Sequence, residues 1–420
     1  MHKLSDVRKA LNAGEMDEAL ARLTCSADPA AARRRVAALL DGFERSFGRG
    51  EDTPVTLCSA PGRTEICGNH TDHQHGCVLA AAVDMETMAE VTLTGTNIIR
   101  VDSEGYKPVE IDLNDLDARE SEKNTTAALI RGVAAAFARR GYKLSGFEAK
   151  VRSTVLPGSG LSSSAAFEVL IGRILNGLFA GGAVSAIEIA QIGQYAENVY
   201  YGKPSGLMDQ MASSVGGLVY IDFADPKNPI VEKVDYDFVH SGYTLCTIDS
   251  GADHADLTDE YAAMPVEMKA VAAFFGKEVL HDVDEAAFYR HIAEVRKVTG
   301  DRAVLRAIHF FNENRRVKSQ VRALKDGDFD AFLHFVNASG MASWTLLQNV
   351  TPAGYIQKQD MAFTIALCQQ LLEGEGAVRI HGGGFAGTAL AFVPNDRFAR
   401  FKTCVEHVLG EGHCHKLTIQ

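Results

Sequence analysis

Residues 157–166 read Pro-Gly-Ser-Gly-Leu-Ser-Ser-Ser-Ala-Ala, a run suited to binding an anion. Glycine lets the backbone approach a ligand closely. The run follows a strand-like stretch, 147–155, and opens an apolar helix over 165–179. Free N–H groups at a helix start, together with the helix dipole, attract phosphate. The hydroxyls of Ser162, Ser163 and Ser164 add donors and a candidate Mg²⁺ ligand. Taken alone, such a run reads equally as a serine-rich helix cap. Three other segments change that balance. Arg63 to His73 is dense in polar groups beside a strand, where binding groups usually sit. Gly206-Leu207-Met208-Asp209-Gln210 places a carboxylate among apolar residues, and Gly382 to Gly387 allows another close backbone approach.

The elements that must position these groups are mixed. Residues 1–48 read as two amphipathic helical stretches broken at Asp28-Pro29, an extension packed on the main body. A strand over 55–59 ends at Ala60-Pro61-Gly62, and further strands are predicted over 78–83, 88–93 and 98–102. Helices follow over 125–140, 165–179, 187–200 and 208–215, with a strand over 217–223. Asp225-Pro226-Lys227-Asn228-Pro229 reads as a loop, so a boundary falls near 225–240. The second half holds a strand over 243–249 and helices over 258–275, 285–298, 301–324, 328–346 and 356–373. Strands over 377–380 and 388–393 flank Gly382-Gly383-Gly384. The expected segments are 1–48, 49–235 and 236–420.

Composition narrows the function class. The 420 residues carry a formal net charge of -12, which argues against a general nucleic-acid binder but not against a local anion hole. No apolar run approaches the roughly 20 residues of a membrane span. No secretory core follows Met1-His2-Lys3-Leu4, so a cytoplasmic protein without membrane or nucleic-acid partners is expected. The 8 cysteines form no C-x-x-C pair and suggest neither a disulfide scaffold nor a zinc site. The groups His70, His73, His75 and His413-Cys414-His415 lack four ligands at structural-zinc spacing.

Together, and in this order, the polar segments resemble the GHMP kinases, and within that superfamily the galactokinase family. That family opens its core with Pro-Gly-Arg leading to Gly-Glu-His-Thr-Asp-Tyr. Here Pro61-Gly62-Arg63 leads to Gly68-Asn69-His70-Thr71-Asp72-His73. Gly160-Leu161-Ser162-Ser163-Ser164-Ala165-Ala166 matches the family phosphate loop without change. So does Ala196-Glu197-Asn198 followed by Gly206-Leu207-Met208-Asp209-Gln210. Gly382-Gly383-Gly384-Phe385 matches a third motif, with His381 for a usual threonine and Ala386 for a usual glycine. Glu260-Tyr261 fits the family's sugar-contacting tyrosine, but Ala262-Ala263-Met264 follows it in place of Asn-x-Arg.

The resemblance implies an α/β (α+β), two-lobed GHMP kinase fold. The N-terminal lobe would be ribosomal-protein-S5-domain-2-like and the C-terminal lobe ferredoxin-like α+β, with the site in the cleft between them. It implies an ATP-dependent sugar-1-kinase that moves the γ-phosphate to the anomeric hydroxyl of galactose, with ATP as co-substrate and Mg²⁺ as cofactor. Asp209 would then be the catalytic carboxylate and Arg63 its partner. Ser164 and Glu197 would hold the metal, with phosphate oxygens and waters completing the octahedron. Gly158, Ser159, Gly160, Leu161, Ser162, Ser163 and Ser164, with Gly383 and Gly384, would contact ATP. Asn69, His70, Asp72, Gly206 and Tyr261 would contact the sugar. The exchanges at Glu65, Asn69 and His73 leave the sugar open: N-acetylgalactosamine, arabinose or a uronic acid are alternatives, as is a non-sugar alcohol. A sugar- and ATP-sensing regulator without turnover is the reading from another class, against which the intact Arg63, Ser164, Glu197 and Asp209 argue. The sequence leaves the oligomeric state open, a monomer being admissible.

Overall fold

The computed structural model describes residues 1–24, 26, 28–155, 160–252 and 257–420. Strand Cys77–Leu93 is the spine of an eight-stranded sheet. Its residues alternate between faces, and both faces are covered: Val78, Leu79, Ala80, Ala81 and Ala82 are all fully buried. Pro54–Cys67 pairs antiparallel along one side of it. Phe147–Ser153 and Leu218–Asp222 pair along the two halves of the other side. Ile98–Ser103 joins Phe147–Ser153 in parallel, with helix Thr126–Arg139 between them in the chain. Val109–Asp112 and Ile230–Lys233 extend the sheet, and His2–Lys3 pairs with Pro54 and Val55.

The second sheet is antiparallel, in the order Ala377–Ile380, Thr388–Pro394, Tyr243–Asp249, Cys414–Leu417. One apolar cluster belongs to both sheets: Ile66, Leu79 and Ala81 of the first lie with Leu245, Leu390 and Phe392 of the second. Helices Leu4–Ala13, Asp17–Thr24 and Pro29–Phe47 share a further cluster with Val55 and Met88. Among the described residues no helix is long and apolar enough to cross a membrane.

Two strand expectations are corrected here. Pro61-Gly62 does not end its strand, which runs on to Cys67 with register shifts between Pro61 and Arg63 and between Glu65 and Cys67. Proline and glycine in a strand mark a bulge as readily as an end. The bulge carries Arg63 to Cys67 onward as strand, which fixes their backbone for the site. The two stretches 78–83 and 88–93 are likewise one strand. The polar residues between them find tertiary partners: Asp84 accepts from the Thr418 N–H at 2.7 Å, and the buried Glu86 pairs with Arg35. Helix Phe398–Leu409 and strand Cys414–Leu417 were not anticipated. The helix predicted over 187–200 is α-helical only from Ala186 to Tyr195 and then widens into a π-turn over Ala196–Tyr201.

Candidate functional site

Helix Ser163–Phe179 begins at Ser162, which has φ +54°. A side chain there normally caps the first turn. The Ser162 hydroxyl makes no such bond and donates to Asp209 Oδ2 instead. The helix start therefore keeps its anion-binding N–H groups. Asp209 sits in the first turn of helix Met208–Val215, which presents its carboxylate to the same point. Arg63 grips it with both arms, Nε to Oδ1 at 2.7 Å and Nη2 to Oδ2 at 2.8 Å. The guanidinium also donates to the Gly160 carbonyl at 2.5 Å, and the Arg63 backbone N–H donates to the Leu161 carbonyl at 3.1 Å. Burial alone would raise the Asp209 pKa, but Arg63 and Ser162 outweigh it and hold the group below the usual carboxylate range. Asp209 is ionised, and its side chain remains 32% exposed.

Glu197 lies in the π-turn, a geometry found mostly as bulges at functional sites. Its buried carboxylate receives Ser164 Oγ at 3.3 Å and Lys203 Nζ at 3.2 Å on Oε1. On Oε2 it receives Ser205 Oγ at 2.6 Å and Gln210 Nε2 at 2.8 Å. Gln210 also bonds Glu168 at 2.9 Å. Burial, and then the nearby carboxylate of Glu197, push the Glu168 pKa well up. Among the described residues no three His, Cys, Asp or Glu side chains converge on one point. The hydroxyl and carboxylate of Ser164 and Glu197 are hard oxygen donors that suit Mg²⁺, which retains waters and takes phosphate oxygens for the rest. The donor set fits.

The groups expected to face the sugar form a third cluster. His70, at φ +58°, sets Nε2 at 2.9 Å from the Gly383 carbonyl, so that nitrogen carries the proton. Tyr261 donates to the Gly384 carbonyl at 2.7 Å and meets Phe385 edge-on. Gly383 and Gly384 thus stand with the sugar group. Burial, and then the neighbouring charge of Asp209, push Asp72 up to about 6. A Cβ on Gly206 would lie 1.6 Å from Asp72 Oδ2, so only glycine lets the two segments meet.

Asn69 is fully buried, and its amide is spent inside the protein. Nδ2 donates to Glu65 at 3.0 Å and to the Gly382 carbonyl at 2.7 Å. Oδ1 accepts from Asn349 at 2.8 Å and Ser343 at 3.2 Å. Glu65 in turn pairs with the buried Arg379 at 2.5 Å. His381 closes the network. The Glu65 N–H donates to its Nε2 at 3.1 Å, so the ring proton is on Nδ1, facing Thr388 Oγ1 at 2.9 Å. Burial, then Arg63 and Arg379, hold this imidazole neutral.

Of the residues expected at the site, the structure brings together Arg63, Asp209, Gly160, Ser162, Ser164 and Glu197 around one helix start. It groups His70, Asp72, Gly206, Tyr261, Gly383 and Gly384 beside them. The Leu161 side chain belongs to the core, and Gly158 and Ser159 lie outside the described residues. Lys203, Ser205, Gln210, Glu168, Arg379 and the bonding of His381 were missed. Gln210 adjoins Asp209 in sequence, and Lys203 and Ser205 lie just before Gly206, so a closer reading of spacing could have found them. Arg379 carries no local signal.

Residues 128–217 match the GHMP kinases N terminal domain, and residues 41–93 match the galactokinase galactose-binding signature. A galactokinase of Streptomyces coelicolor is 32% identical over 344 residues, covering 81% of this chain and 85% of that protein. One of Glaesserella parasuis serovar 5 is 30% identical over 365 residues, covering 84% and 88%. The fold is similar to that of Lactococcus lactis galactokinase in complex with galactose, with a TM-score of 0.77, 24% identity, and coverage of 92% and 98%. It is also similar to L. major mevalonate kinase in complex with R-mevalonate, at 0.59, with 15% identity and coverage of 88% and 97%. On these relatives, and on the four motifs assembled around Asp209, the chain belongs to the galactokinase family of the GHMP kinases.

Proposed function

We propose that this protein is an ATP-dependent galactokinase, a phosphotransferase with an alcohol group as acceptor. It attaches the γ-phosphoryl group of ATP to the anomeric oxygen of galactose. The observation that carries the reading is the ionised Asp209, gripped by Arg63 and placed beside an uncapped helix start. The triphosphate lies at Gly160–Ser164 and the sugar at His70, Asp72 and Tyr261. Asp72 accepts from two vicinal hydroxyls, and the Gly206 backbone closes the same wall. Asp209 orients the anomeric hydroxyl toward phosphorus and takes its proton as the new O–P bond forms and the bond to the β–γ bridging oxygen breaks. A carboxylate of lowered basicity is a weak base, so the proton moves late and orientation carries most of the effect. Ser164 and Glu197 would hold Mg²⁺, which would supply positive charge against the phosphates.

We take 1–48 as an extension and 49–235 and 236–420 as the two lobes; the second boundary falls between strands Ile230–Lys233 and Tyr243–Asp249. A cytoplasmic location suits the free cysteines found among the described residues.

A second reading keeps the chemistry and changes the sugar, to N-acetylgalactosamine, arabinose or a uronic acid. It is favoured by Asn69, whose amide is committed to Glu65, Gly382, Ser343 and Asn349 and offers no carboxylate. An ADP-release assay with Mg-ATP over a panel of hexoses, amino sugars, pentoses and uronic acids decides between the two. Turnover of galactose supports the first reading. Turnover of one of these other sugars without galactose replaces it, and no turnover of any sugar removes both.

A further inference from the structure

A triphosphate brings several negative charges to a site already holding Asp209 and Glu197. Arg63, the cation nearest the helix start, is committed: both arms are on Asp209 and one also reaches the Gly160 carbonyl. Lys203 is placed differently. Its backbone is rooted, because the N–H groups of Gly202 and Lys203 both donate to the Glu197 carbonyl, at 3.0 and 3.1 Å. Its side chain, by contrast, is 60% exposed and ends 3.2 Å from Glu197 Oε1. Ser164 Oγ lies 3.3 Å from that same oxygen. The ammonium therefore sits within 6.5 Å of the hydroxyl (3.2 and 3.3 Å end to end), at the mouth of the phosphate cradle. Partial burial works against its charge, and the carboxylates of Glu197 and Asp209 more than offset it.

We propose that Lys203 is a phosphate-binding residue, which leaves Glu197 for the nucleotide when a divalent cation takes the Ser164–Glu197 oxygens. Lys203 and the cation compete for Oε1, and a lysine is a compact point charge on a long stem that can make this exchange. The ammonium then lies against the terminal phosphates, supplying charge that Arg63 is not free to give. The inference rests on the proposed kinase function, because it needs a nucleotide at Gly160–Ser164.

The test is calorimetric titration of the whole protein with a non-hydrolysable ATP analogue, in EDTA and in Mg²⁺, alongside ADP-release kinetics. Lys203→Gln should weaken analogue binding in Mg²⁺ by about tenfold, the loss of one charge-assisted contact, and by less in EDTA, where Lys203 stays on Glu197. It should raise KM for Mg-ATP while leaving galactose affinity within about twofold, and Lys203→Arg should recover most of the loss. Unchanged analogue affinity of Lys203→Gln in Mg²⁺, with or without a lowered melting temperature, overturns the proposal and leaves Lys203 as a surface partner of Glu197. If wild type binds the analogue but phosphorylates no sugar, the proposed function fails while the Lys203 comparison still stands. A wild type that binds no nucleotide removes both.

Discussion

At the residue scale, charge decides which carboxylate does what. Asp209 is held ionised by Arg63 while Asp72, in the same pocket, is raised to about 6 by burial and by Asp209 itself. An Asp72 that accepts from sugar hydroxyls must be ionised to do so. Galactose affinity should therefore be level above pH 6 and fall by about tenfold per unit below it. Titrations across pH 5–8 check this, and Asp72→Asn should bind weakly with no slope. The same shift has a stability sign. The folded state binds this proton more tightly than the unfolded chain, so ionisation of Asp72 removes stability as pH rises from the unfolded value toward 6. Asp72→Asn should accordingly be more resistant to urea than wild type above pH 6 in the absence of sugar. Asp209→Asn keeps the shape and loses the charge; kcat should drop by about 10²–10⁴-fold with galactose affinity within a few-fold, read from steady-state and binding measurements. The sequence made Asp209, Arg63 and Glu197 legible because each lies in a short motif whose chemistry needs that residue type. It did not reveal Asn69 as an internal amide, because all four of its bonding partners, from Glu65 to Gly382, are set by the tertiary fold.

At the element scale, the site depends on backbone that breaks the regular pattern. His70, Ser162 and Phe385 all take positive φ without being glycine, a conformation that persists where surrounding contacts enforce it. Gly206→Ala would drive a methyl into Asp72. It should abolish measurable galactose binding and leave binding of the ATP analogue nearly unchanged, since Ser162–Ser164 belong to another helix. Regular elements were largely legible: Met208–Val215, Tyr243–Asp249 and Ala377–Ile380 fall where apolar periodicity and punctuation put them. The irregular ones were not. Pro61-Gly62 looks like a stop because local preference sees a missing N–H, whereas pairing with Cys77–Leu93 carries the strand past it. The π-turn that turns Glu197 inward has no marker in Ala196–Tyr201, and the helix there reads as continuous from composition alone.

At the scale of the whole molecule, the two sheets are joined at the site by polar bonds as well as by their common apolar cluster. Glu65 of one sheet meets Arg379 of the other, both nearly fully buried, and His381 and Gly382 bond Glu65 and Asn69 alongside. Removing one partner of such a pair strands the other charge away from water. Arg379→Met should cost about 3–5 kcal/mol in equilibrium denaturation, with Glu65→Gln combined with Arg379→Met recovering part of it. No pattern along the chain announces this tie, because its members are more than 300 residues apart.

The strand Cys77–Leu93 also receives residues from more than 300 positions further along the chain. Asp84 N–H donates to the Thr418 carbonyl, Gln420 N–H donates to the Ala82 carbonyl, and Val83 bridges to Ile419. Strand Cys414–Leu417 meanwhile covers the edge of Tyr243–Asp249. A chain cut after residue 400 would still carry Arg63, Ser164, Glu197 and Asp209, yet would expose an unpaired sheet edge and an unfilled row on its central strand. Exposed edges template wrong pairings. Residues 414–420 therefore close both sheets at once, and removing them should leave every one of those side chains in place on a molecule prone to self-association.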